Sequence, residues 1–173
     1  MATYRKRIED LFKEKKHIFS LKDTQKESFI DWVLQRHTRL RARDKKWIIK
    51  HPEAEQSLPE AKEYFEAVFD ALKNSNGKDF YTGSPLNWLI SFNQDDVKEE
   101  DCKTNVRQER ITFDHVNGRV LAKLKFVMCA GKTNDAKNDL IQKEFLDLCE
   151  SVLKHHGYTV SAPSGVSGLS SEE

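Results

Sequence analysis

Long apolar runs are missing from this chain of 173 residues. Charged residues make up 33% of it and hydrophobic residues 38%. No stretch approaches the ~20 consecutive apolar residues that a membrane-spanning helix needs. The N-terminus also lacks the pattern of a secretory signal. We therefore expect an intracellular, cytoplasmic protein that does not associate with membranes.

Cysteine is scarce as well. The chain has Cys102, Cys129 and Cys149, an odd number with no CxxC pair among them. Such spacing does not suit a zinc site, so no structural zinc is expected. Cys129 and Cys149 fall on predicted apolar faces, which favours buried free thiols.

Net charge is nearly absent, but the charges are unevenly distributed. Residues 1–50 hold 15 Lys and Arg against 7 Asp and Glu, whereas the other 123 residues hold 14 against 21. The first segment therefore carries a balance of +8 and the remainder −7. This asymmetry suggests that the basic segment meets a polyanion.

Three amphipathic helices are predicted before residue 78. The first spans Tyr4–Phe19. The second begins at a capping box, Thr24 to Glu27, and ends before Pro52, because the residue preceding a proline avoids the α region. The third opens near Pro59, has the most regular apolar stripe in the sequence, and is expected to join the N-terminal helices to the rest.

The second predicted helix carries the densest basic cluster in the chain. Its members are Arg36, Arg39, Arg41, Arg43, Lys45 and Lys46. Two interpretations stay open: a solvated face that keeps the protein soluble, or a surface that contacts phosphates.

The segment from residue 111 to 140 combines several polar candidates with a strand–turn–strand–helix pattern. Alternation predicts a strand over Ile111–Phe113, and Asn117-Gly118 predicts a tight hairpin turn. A second alternating strand follows, with Leu124, Phe126 and Met128 on one side. Beyond Gly131 the apolar spacing becomes helical and continues to His155, which predicts a helix that packs back across the hairpin.

This order predicts that Asp114, His115 and Asn134 lie close together. Asp114 and His115 are neighbours on a strand and point to opposite sides, while Asn134 stands at the start of the helix. Aspartate and asparagine oxygens suit Mg²⁺ or a similar hard cation. His115 is then available as a base.

At these residues the chain resembles the HNH endonuclease family of the zinc-free type, whose shared core is the ββα-metal fold. The resemblance covers roughly residues 79 to 153, and the middle Asn of the family pattern has no clear counterpart. Asn117 either substitutes for it or is only a turn residue. The matching elements are Asp114-His115-Val116, the apolar run Phe126–Cys129, Asn134-x-x-Lys137 with Phe145, and the upstream turn Asp79–Gly83 with Pro85-Leu86.

The resemblance implies a metal-dependent hydrolysis of DNA phosphodiester bonds. His115 would act as the general base, and one Mg²⁺ or Mn²⁺ per active site would be bound by Asp114 and Asn134. The products would carry 5′-phosphate and 3′-hydroxyl ends, as in restriction-type or homing-type enzymes. Lys137, and less strongly Lys132 and Arg119, would hold phosphate oxygens. A homodimer is possible, since a chain this small needs a second copy to read a long site or to cut both strands.

The predicted architecture is α+β and mostly helical, with N-terminal helices followed by a ββα-metal core. Residues 1–77 would form a basic helical subdomain, residues 78–158 the nuclease core and residues 159–173 a disordered tail. Trp88 is expected in the core, and the acidic segment Gln94–Asp101 in solvent. Two alternatives remain: a non-catalytic nucleic-acid-binding module that uses the basic helices, and a helical interaction protein without a nucleic acid partner.

Overall fold

A computed structural model describes residues 2–88, 91 and 108–161. The fold is α+β and mostly helical, as predicted. The acidic segment Gln94–Asp101, Cys102 and nearly all of the predicted tail lie outside the described residues. No helix in the described ranges combines the length and the hydrophobicity of a membrane span. The elements are α1 (Ala2–Lys15), α2 (Lys26–Lys50), α3 (Ala61–Asn74), β1 (Ile111–His115), β2 (Phe126–Ala130), α4 (Gly131–Lys137) and α5 (Gln142–His155).

One hydrophobic core joins the N-terminal helices to the sheet. It extends from Ile8 in α1 to Ala130 in β2 and is continuous across residue 77, the predicted boundary between subdomains. The apolar stripe of α3 is buried, and its Tyr64 ring lies 6.1 Å from the ring of Phe126 in β2. Helix α3 therefore packs against the sheet as well as the other helices, as expected of the element that joins them.

Helix α2 contacts the sheet through the buried side chain of Trp32. Trp32 lies 5.4 Å from the ring of Trp88 and 5.6 Å from that of Phe113 in β1. Trp88 is buried, so its predicted place in the core is confirmed. The predicted capping box at Thr24 is wrong, because the side chain of Gln25 instead accepts a hydrogen bond of 2.7 Å from the N–H of Lys22 in the preceding turn.

The two strands pair antiparallel, but the predicted tight hairpin is wrong. His115 stands opposite Phe126, so residues 116–125 form the connection. Gly118 adopts φ +61°, and a side chain there would come within 3.0 Å of the carbonyl oxygen of Asp139. Asn117-Gly118 is thus a turn within a longer loop, which packs against the segment after α4.

The predicted long helix after β2 is divided in two. Asn138 adopts φ +52° and ends α4, and α5 restarts with the N–H of Ile141 donating to the side chain of Glu144. The predicted packing of this helix across the hairpin holds for α4, which contacts both strands, but not for α5, in which no residue is buried. Leu148 and Val152, for example, are 49% and 50% exposed.

The cysteine prediction is confirmed for one residue only. Cys129 is a buried free thiol in β2, and burial raises the pKa of that thiol. Cys149 lies on α5 and is only partly covered.

Candidate active site

A polar cavity of about 430 Å³ lies where the end of β1 meets α2 and α4. The predicted residues Asp114, His115 and Asn134 all line it, together with Arg43 and Arg119. The other lining residues are Gly118, Asp135, Asn138 and Asp139. The fold therefore brings together, at one cavity, the two strand residues, the start of α4 and two cationic side chains.

His115 is held from both sides of its ring. Its Nε2 lies 2.9 Å from Oδ2 of Asp44, and its Nδ1 lies 3.2 Å from Nη2 of Arg43. Since a carboxylate only accepts, we assign the proton to Nε2, and Nδ1 accepts from the guanidinium. In this hydrogen-bond pattern the free electron pair of the ring is on Nδ1, the atom covered by Arg43.

Asp44 is the central residue of this network, and sequence reasoning missed it. Its side chain is fully buried, and its oxygens also accept from the Tyr64 hydroxyl at 2.8 Å and from Arg119 Nη1 at 3.3 Å. Burial raises the pKa of this carboxyl, but the hydrogen bonds from His115 and the Tyr64 hydroxyl and the charge of Arg43 outweigh it, so the pKa is lowered. Asp44 is therefore a buried anion at neutral pH.

A sequence signal for Asp44 did exist. It is the one acidic residue between Asp31 and Glu53, inside the basic cluster of α2. A lone carboxylate among cations on a helix that also carries buried aromatics indicates an internal partner. The sequence gives no indication that the partner is His115, 71 residues away.

Asp114 belongs to a second buried network on the other side of β1. Its Oδ2 accepts from the Tyr81 hydroxyl at 2.6 Å and lies 3.0 Å from Nζ of Lys137. Lys137 is fully buried and also donates to the carbonyl oxygen of His115 at 3.0 Å. Its ammonium thus serves the protein interior, which corrects the expectation that it holds a phosphate oxygen.

Asp79 positions both Tyr81 and the start of α4. Its Oδ1 accepts from the N–H groups of Tyr81 and Thr82, at 2.9 and 3.0 Å. Its Oδ2 accepts from the N–H of Ala130 and the hydroxyl of Thr133, both at 2.8 Å. The Asp79–Gly83 turn therefore caps α4 and directs a tyrosine hydroxyl at Asp114.

The oxygen donors of the cavity suit a hydrated divalent cation. Asp114 and Asn134 line the same space, and Mg²⁺ typically takes one or two protein ligands while keeping several waters. Lys137 neutralises part of the charge of Asp114, so a metal would bind in competition with that ion pair. Across the described residues, no group of three or more His, Cys, Asp or Glu side chains forms a metal cluster.

The remaining predicted basic residues separate into two groups. Arg43 and Arg119 face the cavity, and Arg119 also pairs with Asp139 at 2.7 Å. Arg36 lines an adjacent smaller cavity. The others lie elsewhere: Arg39, Lys45 and Lys46 are exposed on α2, Arg41 donates to the carbonyl of Pro59, and Lys132 pairs with Glu109.

Asn117 does not take part in the site. It lines a different cavity, beside α3 and Phe126, and so behaves as a turn residue. The support that the imidazole needs is instead provided by Asp44 and Arg43.

Comparison with known proteins returned no match. No family model, no curated protein and no solved structure is similar to this chain. The chemistry of the cavity has to be inferred from its own residues.

Proposed function

We propose that this protein is a metal-dependent endonuclease of the HNH type, which hydrolyses DNA phosphodiester bonds with His115 as the general base. The observation that carries the proposal is the hydrogen bond between Nε2 of His115 and the buried Asp44, in a cavity that is also lined by Asp114, Asn134 and two arginines. A histidine that is oriented by a buried carboxylate is a recurrent arrangement for proton abstraction.

Asp44 supports this role in two ways. By accepting from Nε2–H it selects the tautomer with a free electron pair on Nδ1. As a buried anion it also stabilises the imidazolium that forms once Nδ1 has taken a proton from water. Arg43 now donates to Nδ1, so it must move aside, and a phosphate oxygen would be a stronger partner for its guanidinium.

Positive charge at the reacting phosphate would come from several groups. Bound through Asp114 and Asn134, Mg²⁺ would stabilise the charge that develops on the phosphate and on the leaving oxygen. Arg43 and Arg119, which are 38% and 20% exposed, can approach non-bridging oxygens from the other wall of the cavity.

A second candidate function, a non-catalytic nucleic-acid-binding module, is favoured by a specific observation. Both ring nitrogens of His115 have protein partners, and Oδ2 of Asp114 has two. In such a module the two networks would stabilise the fold, and the basic face of α2 would contact DNA.

Plasmid cleavage distinguishes the two functions. Supercoiled DNA is incubated with the protein in Mg²⁺ or in chelator, and the ends are sequenced. For the nuclease we expect cleavage only with Mg²⁺, leaving 5′-phosphates, and a loss of ~10²- to 10⁴-fold in His115→Gln. His17→Gln, which alters an exposed histidine, is the matched control. Binding that is equal with and without chelator, and never followed by nicking, would establish the module instead.

A further inference from the structure

A small cavity of about 120 Å³ adjoins the active-site cavity and shares Asn134 and Asp135 with it. Its distinctive feature is a pair of guanidinium groups, from Arg36 on α2 and Arg110 just before β1. Asp135 is the one carboxylate among the described residues that line it, so the wall carries more positive than negative charge. The remaining lining residues are Ile111, Thr112 and Gly131.

Both arginines bury a nitrogen that finds no acceptor among the described residues. These atoms are Nη2 of Arg36 and Nε of Arg110. A buried donor without a partner destabilises the folded protein, and more so when the group is charged. Burial, with the nearby charges of Arg39 and Arg110, lowers the pKa of Arg36 to about 10. These two buried nitrogens can therefore donate to an anion that enters the cavity.

The fold holds the Arg36 side chain and the Arg110 backbone in place. The guanidinium of Arg36 lies 4.8 Å from the ring centre of Trp32, in a cation–π contact. The carbonyl oxygen of Arg110 accepts from the N–H of Gly131 at 2.9 Å. One guanidinium is therefore positioned before any ligand arrives, and the other starts from a fixed backbone, which reduces the entropy lost on binding.

We propose that Arg36 and Arg110 bind one phosphate group between them, and that this phosphate belongs to the backbone of the nucleic acid strand that enters the active-site cavity. The identity of the strand rests on the proposed function, whereas the affinity for a phosphate group does not. Arg36 and Arg43 are seven residues apart, or ~10 Å along a helix. At ~3.4 Å of duplex per nucleotide, the second phosphate lies within about three nucleotides of the one at His115.

Inorganic phosphate tests the site without DNA. The thermal unfolding midpoint is measured in phosphate and in chloride at equal ionic strength, for the wild type, Arg36→Met and Arg110→Met. Methionine keeps an apolar stem but removes the donors. We expect phosphate to raise the midpoint of the wild type and to have little effect in either variant. Lys62→Met, which removes an exposed cation on α3, should respond like the wild type. An unchanged phosphate response in both variants would overturn the site.

A second experiment tests whether the bound phosphate belongs to the DNA backbone. It is run in chelator, so that the DNA is not cleaved. Duplexes with a single neutral methylphosphonate, moved one position at a time along the strand, are titrated into the same proteins. We expect one position to weaken wild-type binding, and that penalty to disappear in both variants. In the wild type log K falls as log salt rises, and in each variant this fall should be less steep by about 0.9.

The outcomes separate this site from the nuclease proposal. The backbone assignment would be overturned if no methylphosphonate position weakened wild-type binding. It would also be overturned if the penalty that disappears in Arg36→Met lay at a different position from the one that disappears in Arg110→Met. Either result would count even if inorganic phosphate still binds. Because neither experiment requires cleavage, a protein that binds DNA through this site but never cuts it would refute only the nuclease.

Discussion

Two buried aspartates, Asp44 on α2 and Asp114 on β1, have similar surroundings. Asp44 accepts from the hydroxyl of Tyr64, and Asp114 from that of Tyr81. Burial first, and then the hydrogen bond to the aspartate, raises the pKa of both tyrosines, so each remains a protonated donor. Each aspartate also has a cationic partner. We call these sets the Asp44 network and the Asp114 network.

The two networks differ in where their cations lie. Lys137, the cation of the Asp114 network, is fully buried, whereas Arg43 and Arg119 of the Asp44 network are partly exposed at the cavity. A cation enclosed by the protein can only stabilise the fold. A cation at a cavity wall can exchange its partner for a ligand. Arg43 and Arg119 can therefore bind a ligand and Lys137 cannot, because only the two arginines are accessible from the cavity.

The largest effect is expected from breaking the Asp114 network at its cation. Lys137→Met would leave Asp114 buried beside Tyr81 without its counter-charge, and losing one partner of a buried pair costs about 3–5 kcal/mol. The free energy of unfolding, measured in urea, should fall by that amount. It should recover in part in Lys137→Met/Asp114→Asn, where no charge is left unpaired. A loss below 1 kcal/mol in the single variant would show that the pair is not enclosed.

Breaking the Asp44 network should affect catalysis more selectively. Asp44→Asn keeps the shape of the side chain but no longer stabilises a charged imidazole. Cleavage should fall by about 10²- to 10⁴-fold, the upper value being the effect of replacing the aspartate that orients the base histidine of a serine protease triad by asparagine. The fall should be in kcat and not in DNA affinity, because the imidazolium forms only during the reaction. A fall that only follows the loss of folded protein, with kcat per folded molecule unchanged, would indicate a structural role only. Asp70→Asn, at an exposed position on α3, is the control.

Metal affinity should depend on Asp114 and Asn134 and not on Asp44 or His115. Calorimetric titration with Mn²⁺ should show at least a tenfold weaker affinity, ~1.4 kcal/mol, in Asp114→Asn and Asn134→Ala. Asp44→Asn and His115→Gln should bind Mn²⁺ like the wild type. If Asn134→Ala binds normally, the second ligand must be another residue of the cavity, with Asp135 and Asn138 the nearest candidates.

The lowered pKa of Asp44 predicts how stability changes with pH. A carboxyl whose pKa is lower when folded stabilises the protein above its unfolded value of about 3.9, and this contribution disappears as the pH falls through the folded value. The difference in unfolding free energy between the wild type and Asp44→Asn should therefore shrink below about pH 4. A difference that grows towards acid would mean that Asp44 is protonated in the native state.

The smallest effects are expected from the tyrosine hydroxyls. Tyr64→Phe and Tyr81→Phe each remove one hydrogen bond to a buried carboxylate, which is worth about 1.5–3 kcal/mol when the acceptor is charged but less where other donors remain. We expect losses near 1 kcal/mol in both, from thermal unfolding, and a reduction in cleavage only in Tyr64→Phe. Equal effects on cleavage would argue that the two networks act as one.

Local patterns in the sequence account for most elements and for part of the site. Helical spacing predicted α1 to α3, and alternation predicted β1 and β2, because the side-chain period of each element depends on neighbouring residues alone. Asp114, His115 and Asn134 were expected together because a short strand–loop–strand–helix unit leaves few other arrangements. They do line one cavity, although their catalytic and metal-binding roles stay predictions.

Tertiary packing decided what each of these side chains meets. Asp44 reaches His115 only because the buried stripe of α2 packs along β1, a contact across 71 residues that no local period encodes. Lys137 points inward because the break at Asn138 ends α4 one residue later and the buried Asp114 attracts its ammonium. The stripe of α5 resembles that of α3 in sequence, yet it stays exposed, because periodicity defines an apolar face but not the surface that covers it.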